Sequence, residues 1–263
     1  MLYVHANNLL GKCEDRDNNP YRHIKNEIKE FYENYYIPMK EKIIALNFQK
    51  DNYENFKKAT AIFNTYYEKL KSFSKLHNIK SQSKFESTFL EEISSYLFKD
   101  IPEITSNKLG FFNKGIYAGM KIDANHNIDI IKKDVDFCIG KKVDISINSG
   151  TPVPLILPVI AVEVKTYLDA TMFGEVKSSS KSIKNASPNS KAYVLMGYKS
   201  LAHEHIIAAR QDSVLNEMFV LRKNESSAMD AKTIFNYWLE ISNAICEISN
   251  LNDIKTPGKL LKP

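Results

Sequence analysis

The chain has 263 residues, 43% hydrophobic and 25% charged, a composition that excludes a fibre or a disordered segment and provides for a buried core. Lys and Arg number 36 against 31 Asp and Glu, a net charge of +5 that favours a polyanionic partner without demanding one. Cys13, Cys138 and Cys246 lie far apart without CxxC spacing, which argues against a disulfide framework or a cysteine zinc site and fits a reducing cytoplasm.

The first residues, Met1 to Asn8, turn polar before a signal-peptide apolar region could form, and no stretch approaches the roughly 20 apolar residues of a membrane span. A cytoplasmic location is expected. Asn19-Pro20 is a helix opening, followed by Ile24, Ile28, Phe31, Tyr32 and Tyr35 at helical spacing, with a break or kink at Pro38. Asp51 can cap a second helix in which Phe56, Ala59, Phe63, Tyr66, Leu70 and Phe73 form a seam, either against another helix of the chain or against another subunit. The spacing predicts a third helix over 83–97, with Phe85, Phe89, Ile93 and Tyr96 on one side, Glu92 flanking them and Glu91 opposite.

From about Gly115 the period changes from 3.6 to 2. Residues 128–131, 135–139, 143–147 and 159–165 read as strands, punctuated by Gly140, Gly150 and the prolines at 152, 154 and 158. Helical spacing resumes through Met172, Val176 and Ile183. A short buried strand over 191–197, a helix near 203–210, a strand over 218–221 and a last helix over 230–248 follow, and 256–263 is expected to be a loose tail. The expected fold class is α/β (α+β), a mixed sheet flanked by helices. Residues 1–80 would form a helical elaboration for DNA binding or dimerisation, and 81–263 a sheet core with a C-terminal helix.

Alternation places Ala161, Glu163 and Lys165 on one face of a strand and Ile160, Val162 and Val164 on the other; upstream, Asp134 and Asp136 share a face. Charges on a buried strand face are costly unless they are paired or bind something. If the two strands are neighbours, about 4.8 Å apart, Asp136 and Glu163 can converge on one ion. Oxygen ligands with open positions suit Mg²⁺ at a substrate phosphate, and Lys165 can orient water or the phosphate.

The arrangement Asp136 … Glu163-Val164-Lys165 resembles the PD-(D/E)xK nuclease motif, with Val135 where proline often stands. Ser87 to Glu92, Asp134 to Phe137 and Glu163 to Asp169 resemble the type II restriction endonucleases represented by DdeI and BbvCI. The resemblance implies a restriction-endonuclease-like fold, Mg²⁺, double-stranded DNA, products with 5′-phosphates, and two catalytic subunits in a homodimer or a heterodimer. It also implies a glutamate from the preceding helix at the metal, with Glu92 the first choice and Glu91 the second, beside Asp136, Glu163 and the Val164 carbonyl.

Lys177, Lys181 and Lys184 share one side of the next helix, where they suit DNA phosphates or a merely solvated face. Asp134 is expected at the rim, His203-Glu204-His205 as surface residues, and Tyr117 and Tyr167 in packing or phosphate contact. Two other functions fit the same residues: a repair or recombination nuclease that reads DNA structure, and a non-catalytic DNA-binding protein.

Overall fold

The computed structural model describes residues 1–146, 151–211 and 214–249, so the tail at 256–263 and the end of the strand expected at 143–147 lie outside the described residues. Helices come first: α1 (Val4–Cys13), α2 (Lys25–Phe31), α3 (Ile37–Ile44), α4 (Tyr53–Leu76), α5 (Phe85–Leu97) and the short α6 (Pro102–Thr105). The helix α1 has no counterpart among the elements expected from spacing; its His5, Ala6 and Leu9 are buried. Helix α2 begins later than Asn19-Pro20, after a 3-10 turn at Arg22–Ile24; the Asn19 amide donates to the Lys12 and Glu14 carbonyls across the loop while its Oδ1 accepts the Tyr21 N–H ahead of that turn. A π-helical turn at Tyr32–Tyr36 joins α2 to α3. Pro38 is the second residue of α3, just after it; the proline has no N–H to give to a carbonyl one turn back, and the wide turn absorbs the mismatch without ending the helix.

The seam on α4 is internal. Phe56, Ala59, Phe63, Tyr66 and Leu70 are buried within the chain. Phe56 meets Phe235 and Trp238 of α9 (Ala231–Ser249), and Phe63 and Tyr66 meet Phe89 of α5. Truncating one such ring to alanine costs about 3–5 kcal/mol.

The sheet comprises β1 (Gly110–Phe112), β2 (Ile116–Ile122), β3 (Ile128–Lys133), β4 (Phe137–Ile145), β5 (Val153–Leu168), β6 (Lys191–Lys199) and β7 (Glu217–Val220). Its order is β1-β4-β5-β2-β3, with β6 also on β5 and β7 beyond it. The long β5 pairs with antiparallel β4 on one edge. On its other edge it meets β2 at Ile156 and then runs parallel to β6 from Ile160 to Leu168. The break expected at Gly140 is a register shift inside β4, opposite Pro158, where a Cβ would lie 2.5 Å from the Leu157 carbonyl oxygen. Only glycine lets the two backbones approach so closely while Pro158 withholds its N–H.

Both sheet faces are covered. Phe137, Ile139, Ile160, Val162, Val164, Tyr193 and Leu195 join the helical layer in one apolar cluster running from Ala6 to Ile245, so the segments on either side of residue 80 share a core. On the other face, Phe173 and Val176 of α7 (Ala170–Ala186) and Ala209 of α8 (His203–Gln211) pack on Val194 and Met196, while Ile183 reaches Cys138 and Ala161. Among the described residues no helix is long and apolar enough to cross a membrane.

Candidate active site

The antiparallel pairing of Phe137 with Val162 sets Asp136, just ahead of β4, beside the C-terminal half of β5. Asp136 Oδ2 accepts the Val164 N–H at 2.7 Å and the Lys165 ammonium at 3.1 Å. One backbone donor left over at the end of the β4–β5 ladder is thus served by a side chain, which fixes the carboxylate in place. Lys165 Nζ also donates to Glu163 Oε2 at 3.1 Å, and Ser179 Oγ of α7 donates to Glu163 Oε1 at 3.2 Å. Asp136, Glu163 and Lys165 therefore meet as the alternation of the two strands predicts. Their side chains are only 26%, 15% and 26% exposed, so their charges interact with little screening by water.

That proximity shapes their protonation. Burial and then the Asp136 carboxylate push the pKa of Glu163 up. Burial alone would lower the pKa of Lys165, but Asp136 and Glu163 together raise it, so the ammonium stays charged. Glu91 of α5 is pushed up to about 7, first by burial and then by Asp136. It lines the same cleft as Asp136, Val164 and Lys165, a space of about 710 Å³.

The two glutamates of α5 exchange the places given to them by the resemblance. Glu92 is fully buried in the helical layer, away from the strands. Its Oε1 accepts the Tyr36 and Tyr96 hydroxyls, both at 2.6 Å, and its Oε2 accepts the backbone N–H groups of His5 at 2.8 Å and Ala6 at 3.3 Å. The carboxylate is thus a remote cap on the first turn of α1, and it has no oxygen left for a metal. Glu91 faces the cleft instead. A periodic stripe marks one packed face of a helix, but α5 is buried on every side from Thr88 to Leu97, with the helical layer against one face and the sheet against the other. The glutamate opposite the stripe therefore points to the strands.

Asp134 does not join the cluster; its carboxylate accepts the Gly115 N–H at 3.1 Å, tying down a glycine with φ of +68° ahead of β2. Lys177, Lys181 and Lys184 lie along α7, Lys181 exposed and the others half-buried, with the Lys177 ammonium over the Phe173 ring. Tyr167 stacks on Tyr198, ring centroids 5.9 Å apart, on the cleft wall, whereas Tyr117 pairs across β2–β3 with Lys132. His203 and Glu204 are exposed at the start of α8. Spacing gave no sign of other cleft residues: Ser74, Glu86 and Arg222, together with Lys80 and Lys84 from the α4–α5 connection. They come from two distant parts of the chain, the stretch from Ser74 to Glu86 and Arg222 after β7, and acquire a common setting only through the fold.

Residues 82–240 match the family model described as Bpu10I restriction endonuclease. The chain belongs to the Bpu10I restriction endonuclease family. It is therefore a restriction nuclease, and the span shared with the Bpu10I family contains Glu91, Asp136, Glu163 and Lys165 while omitting α1 to α4. The chain is also similar to a solved structure described as the native BbvCI A2B2 tetramer at low resolution, with a TM-score of 0.76 and 16% identity over 95% of this chain and 98% of that one. At that identity the likeness is one of fold, and it extends across the helical layer as well as the sheet. No curated protein sequence matches the chain.

The donor set is entirely oxygen on the acidic side. Asp136 and Glu163 share a single ammonium, and Glu91 stands near enough for the Asp136 charge to raise its pKa. Such an excess of carboxylates in a poorly hydrated cleft suits a hard divalent cation. Among the described residues no group of three or more His, Cys, Asp or Glu side chains converges as a metal site. The arrangement fits an ion held by two carboxylates, a carbonyl and water better than a closed protein cage.

Proposed function

We propose that the chain is a Mg²⁺-dependent type II endonuclease that cuts double-stranded DNA at a short specific sequence and leaves 5′-phosphate and 3′-hydroxyl ends. The observation that carries this reading is the contact of Asp136, Glu163 and one ammonium, Lys165, at the end of two paired strands. Asp136, Glu163 and the Val164 carbonyl would hold the metal, with Glu91 supplying the remaining carboxylate of the cleft. Bound there, Mg²⁺ supplies charge neutralisation at the scissile phosphate and lowers the pKa of a water molecule.

The chain's own groups do the rest. Asp136, held by the Val164 N–H, is preorganised, so little reorganisation accompanies the development of charge at phosphorus. Lys165, kept protonated by its two carboxylates, donates to the attacking water or to a non-bridging phosphate oxygen. Water adds to phosphorus in line, the P–O3′ bond breaks, and the departing oxygen takes up a proton. Lys177, Lys181 and Lys184 contact phosphates away from the cut without reading sequence. One active site cuts one strand, so a double-strand break takes a second copy or a related subunit.

Incubation of the purified chain with supercoiled and linear phage DNA, with Mg²⁺ or with EDTA, tests the reading. Discrete bands with Mg²⁺ alone are expected, and nicked circles alone would assign the second strand to a missing subunit. Cleavage of branched DNA without regard to sequence would turn the reading to a structure-specific nuclease. Absence of cutting with Mg²⁺ or Mn²⁺, by the chain alone or mixed with its related subunit, would leave a DNA-binding protein.

A further inference from the structure

The cleft also carries a second, oppositely charged feature. Arg222 follows β7 and is 2% exposed. Its guanidinium carbon lies 4.6 Å from the centroid of Tyr67 and 5.6 Å from that of Tyr198, and its Nη1 donates to the Glu225 carbonyl at 2.9 Å. Its Nε and Nη2 have no protein hydrogen-bond partner, and none of its nitrogens lies within salt-bridge distance of a carboxylate among the described residues. The Tyr67 hydroxyl donates to Glu86, and the Arg222 guanidinium lies close enough to oppose the rise in its pKa that burial causes. Ser74 Oγ, on the wall of the same cleft, is likewise buried and without a partner.

A buried cation with no carboxylate in direct contact is expensive, and two orphaned donors on one guanidinium add to that cost. The fold makes room for it nonetheless. A Cβ at position 197 would fall 2.7 Å from Nη2 and 2.3 Å from the Thr166 carbonyl oxygen, so Gly197 leaves the space that the guanidinium occupies on the sheet. Nε and Nη2 form the side edge of the guanidinium, the fork that takes two oxygens of a phosphate in parallel. Glu225 holds the opposite corner and the two tyrosine rings hold the plane, so the free edge is oriented in advance.

We infer that Arg222, in the cleft that Ser74 also lines, is a phosphate-binding subsite that takes a backbone phosphodiester of the bound DNA strand away from the one being cut. The inference rests on the nuclease reading and deepens it. Asp136 and Glu91 repel a polyanion until a metal is bound, whereas the Arg222 guanidinium attracts one without a metal, against the carboxylates of Glu86 and Glu225 in the same cleft. A strand lying in the cleft would therefore be held at Arg222 independently of the chemistry at Asp136. Because the free edge is closed off from bulk water in the unliganded chain, the DNA would be taken up with a small shift of the side chains over it.

The test uses the full chain and a fluorescein-labelled 30-base-pair duplex in Ca²⁺, with binding followed by anisotropy over a range of KCl. Arg222→Gln is expected to weaken binding about tenfold or more and to make the slope of log K against log [salt] shallower by about one. Arg222→Lys retains the buried charge and the fold but lacks the fork, and should weaken binding nearly as much. Replacing single phosphates by methylphosphonates should reveal one position that weakens wild-type binding and has no further effect on either variant. Wild-type affinity and salt slope in a folded Arg222→Lys variant, as judged by its thermal melt, would overturn the inference. So would a loss confined to one base sequence with an unchanged slope, which would indicate a base contact. Wild-type cutting of phage DNA in Mg²⁺ is run alongside: its failure would count against the nuclease reading, whereas cutting by wild type with no Arg222 effect counts against the phosphate subsite alone.

Discussion

Glu91 and Glu92 are successive residues on one helix, both buried carboxylates, yet their surroundings are opposite. Glu92 accepts from two tyrosine hydroxyls and two backbone amides and faces no other carboxylate. Glu91 shares a cleft with Asp136, none of the described residues donates a hydrogen bond to it, and its pKa rises to about 7. The first arrangement stabilises a fold, because every lone pair that lost water regained a donor. The second is electrostatically incomplete, and it becomes favourable when a cation arrives. Burial alone does not distinguish the two carboxylates; the supply of donors does.

The largest effect expected on this contrast is catalytic. Glu163→Gln should reduce DNA cleavage by about 10³-fold while leaving the thermal midpoint unchanged or raised, since it removes a charge repelled by Asp136. A lowered midpoint matching the loss of activity would erase the distinction between the clusters. Glu92→Ala should do the reverse, costing about 4 kcal/mol in urea unfolding because two hydroxyls and two amides lose their acceptor.

Burial pushes the pKa of both neighbours up, but at Glu92 its hydrogen-bond donors oppose the rise whereas at Glu91 the Asp136 charge adds to it. The folded pKa of Glu91 lies above its unfolded value near 4.5, so the folded chain holds this proton more tightly. The stability it contributes is complete below pH 4.5 and is lost as pH rises to about 7. In EDTA, Glu91→Gln should remove about 2–3 kcal/mol of the wild-type fall in stability between pH 4.5 and pH 8. A pH profile identical to wild type would place Glu91 outside the charged cluster. Mg²⁺ should stabilise wild type by about 1–2 kcal/mol at concentrations well above its dissociation constant and do so much less in Asp136→Asn. Equal stabilisation of both, measured by thermal melts, would move the ion elsewhere. Smallest of all, Lys181→Ala should leave folding intact and shift the salt slope of DNA binding by about one or less.

The sequence made the strand side of this contrast legible because strand geometry is strict. A period of two assigns each side chain to a face, and Asp136, Glu163 and Lys165 needed only one neighbouring pairing to meet. The helix side was harder to read, since a stripe such as Phe85, Phe89, Ile93 and Tyr96 reports a single packed face and α5 has two. The polar stretch at Met1 to Asn8 hid α1, whose buried His5 bonds Thr88 and Tyr66 and whose amides rest on Glu92; that helix depends on tertiary partners more than on its own pattern. Pro38 suggested a break because the π-helical turn that accommodates it leaves no mark in the spacing. Arg222 and Ser74 gave no local signal at all, since an orphaned donor is defined by groups distant in sequence that fail to reach it.

β5 is one strand with two parallel neighbours in succession, β2 near Ile156 and β6 from Ile160 onward. Parallel partners cannot be reached by a tight turn, so each pairing closes a long loop, and such loops are slow to form. Asp136 and Lys165 acquire their contact only when β4 has zipped along β5, and the half of β5 that carries Lys165 is secured only once α7 has brought β6 alongside. A chain in which these pairings have not formed therefore lacks the contact of Asp136 and Glu163 with Lys165. The order of strand assembly thus sets when Asp136, Glu163 and Lys165 come together.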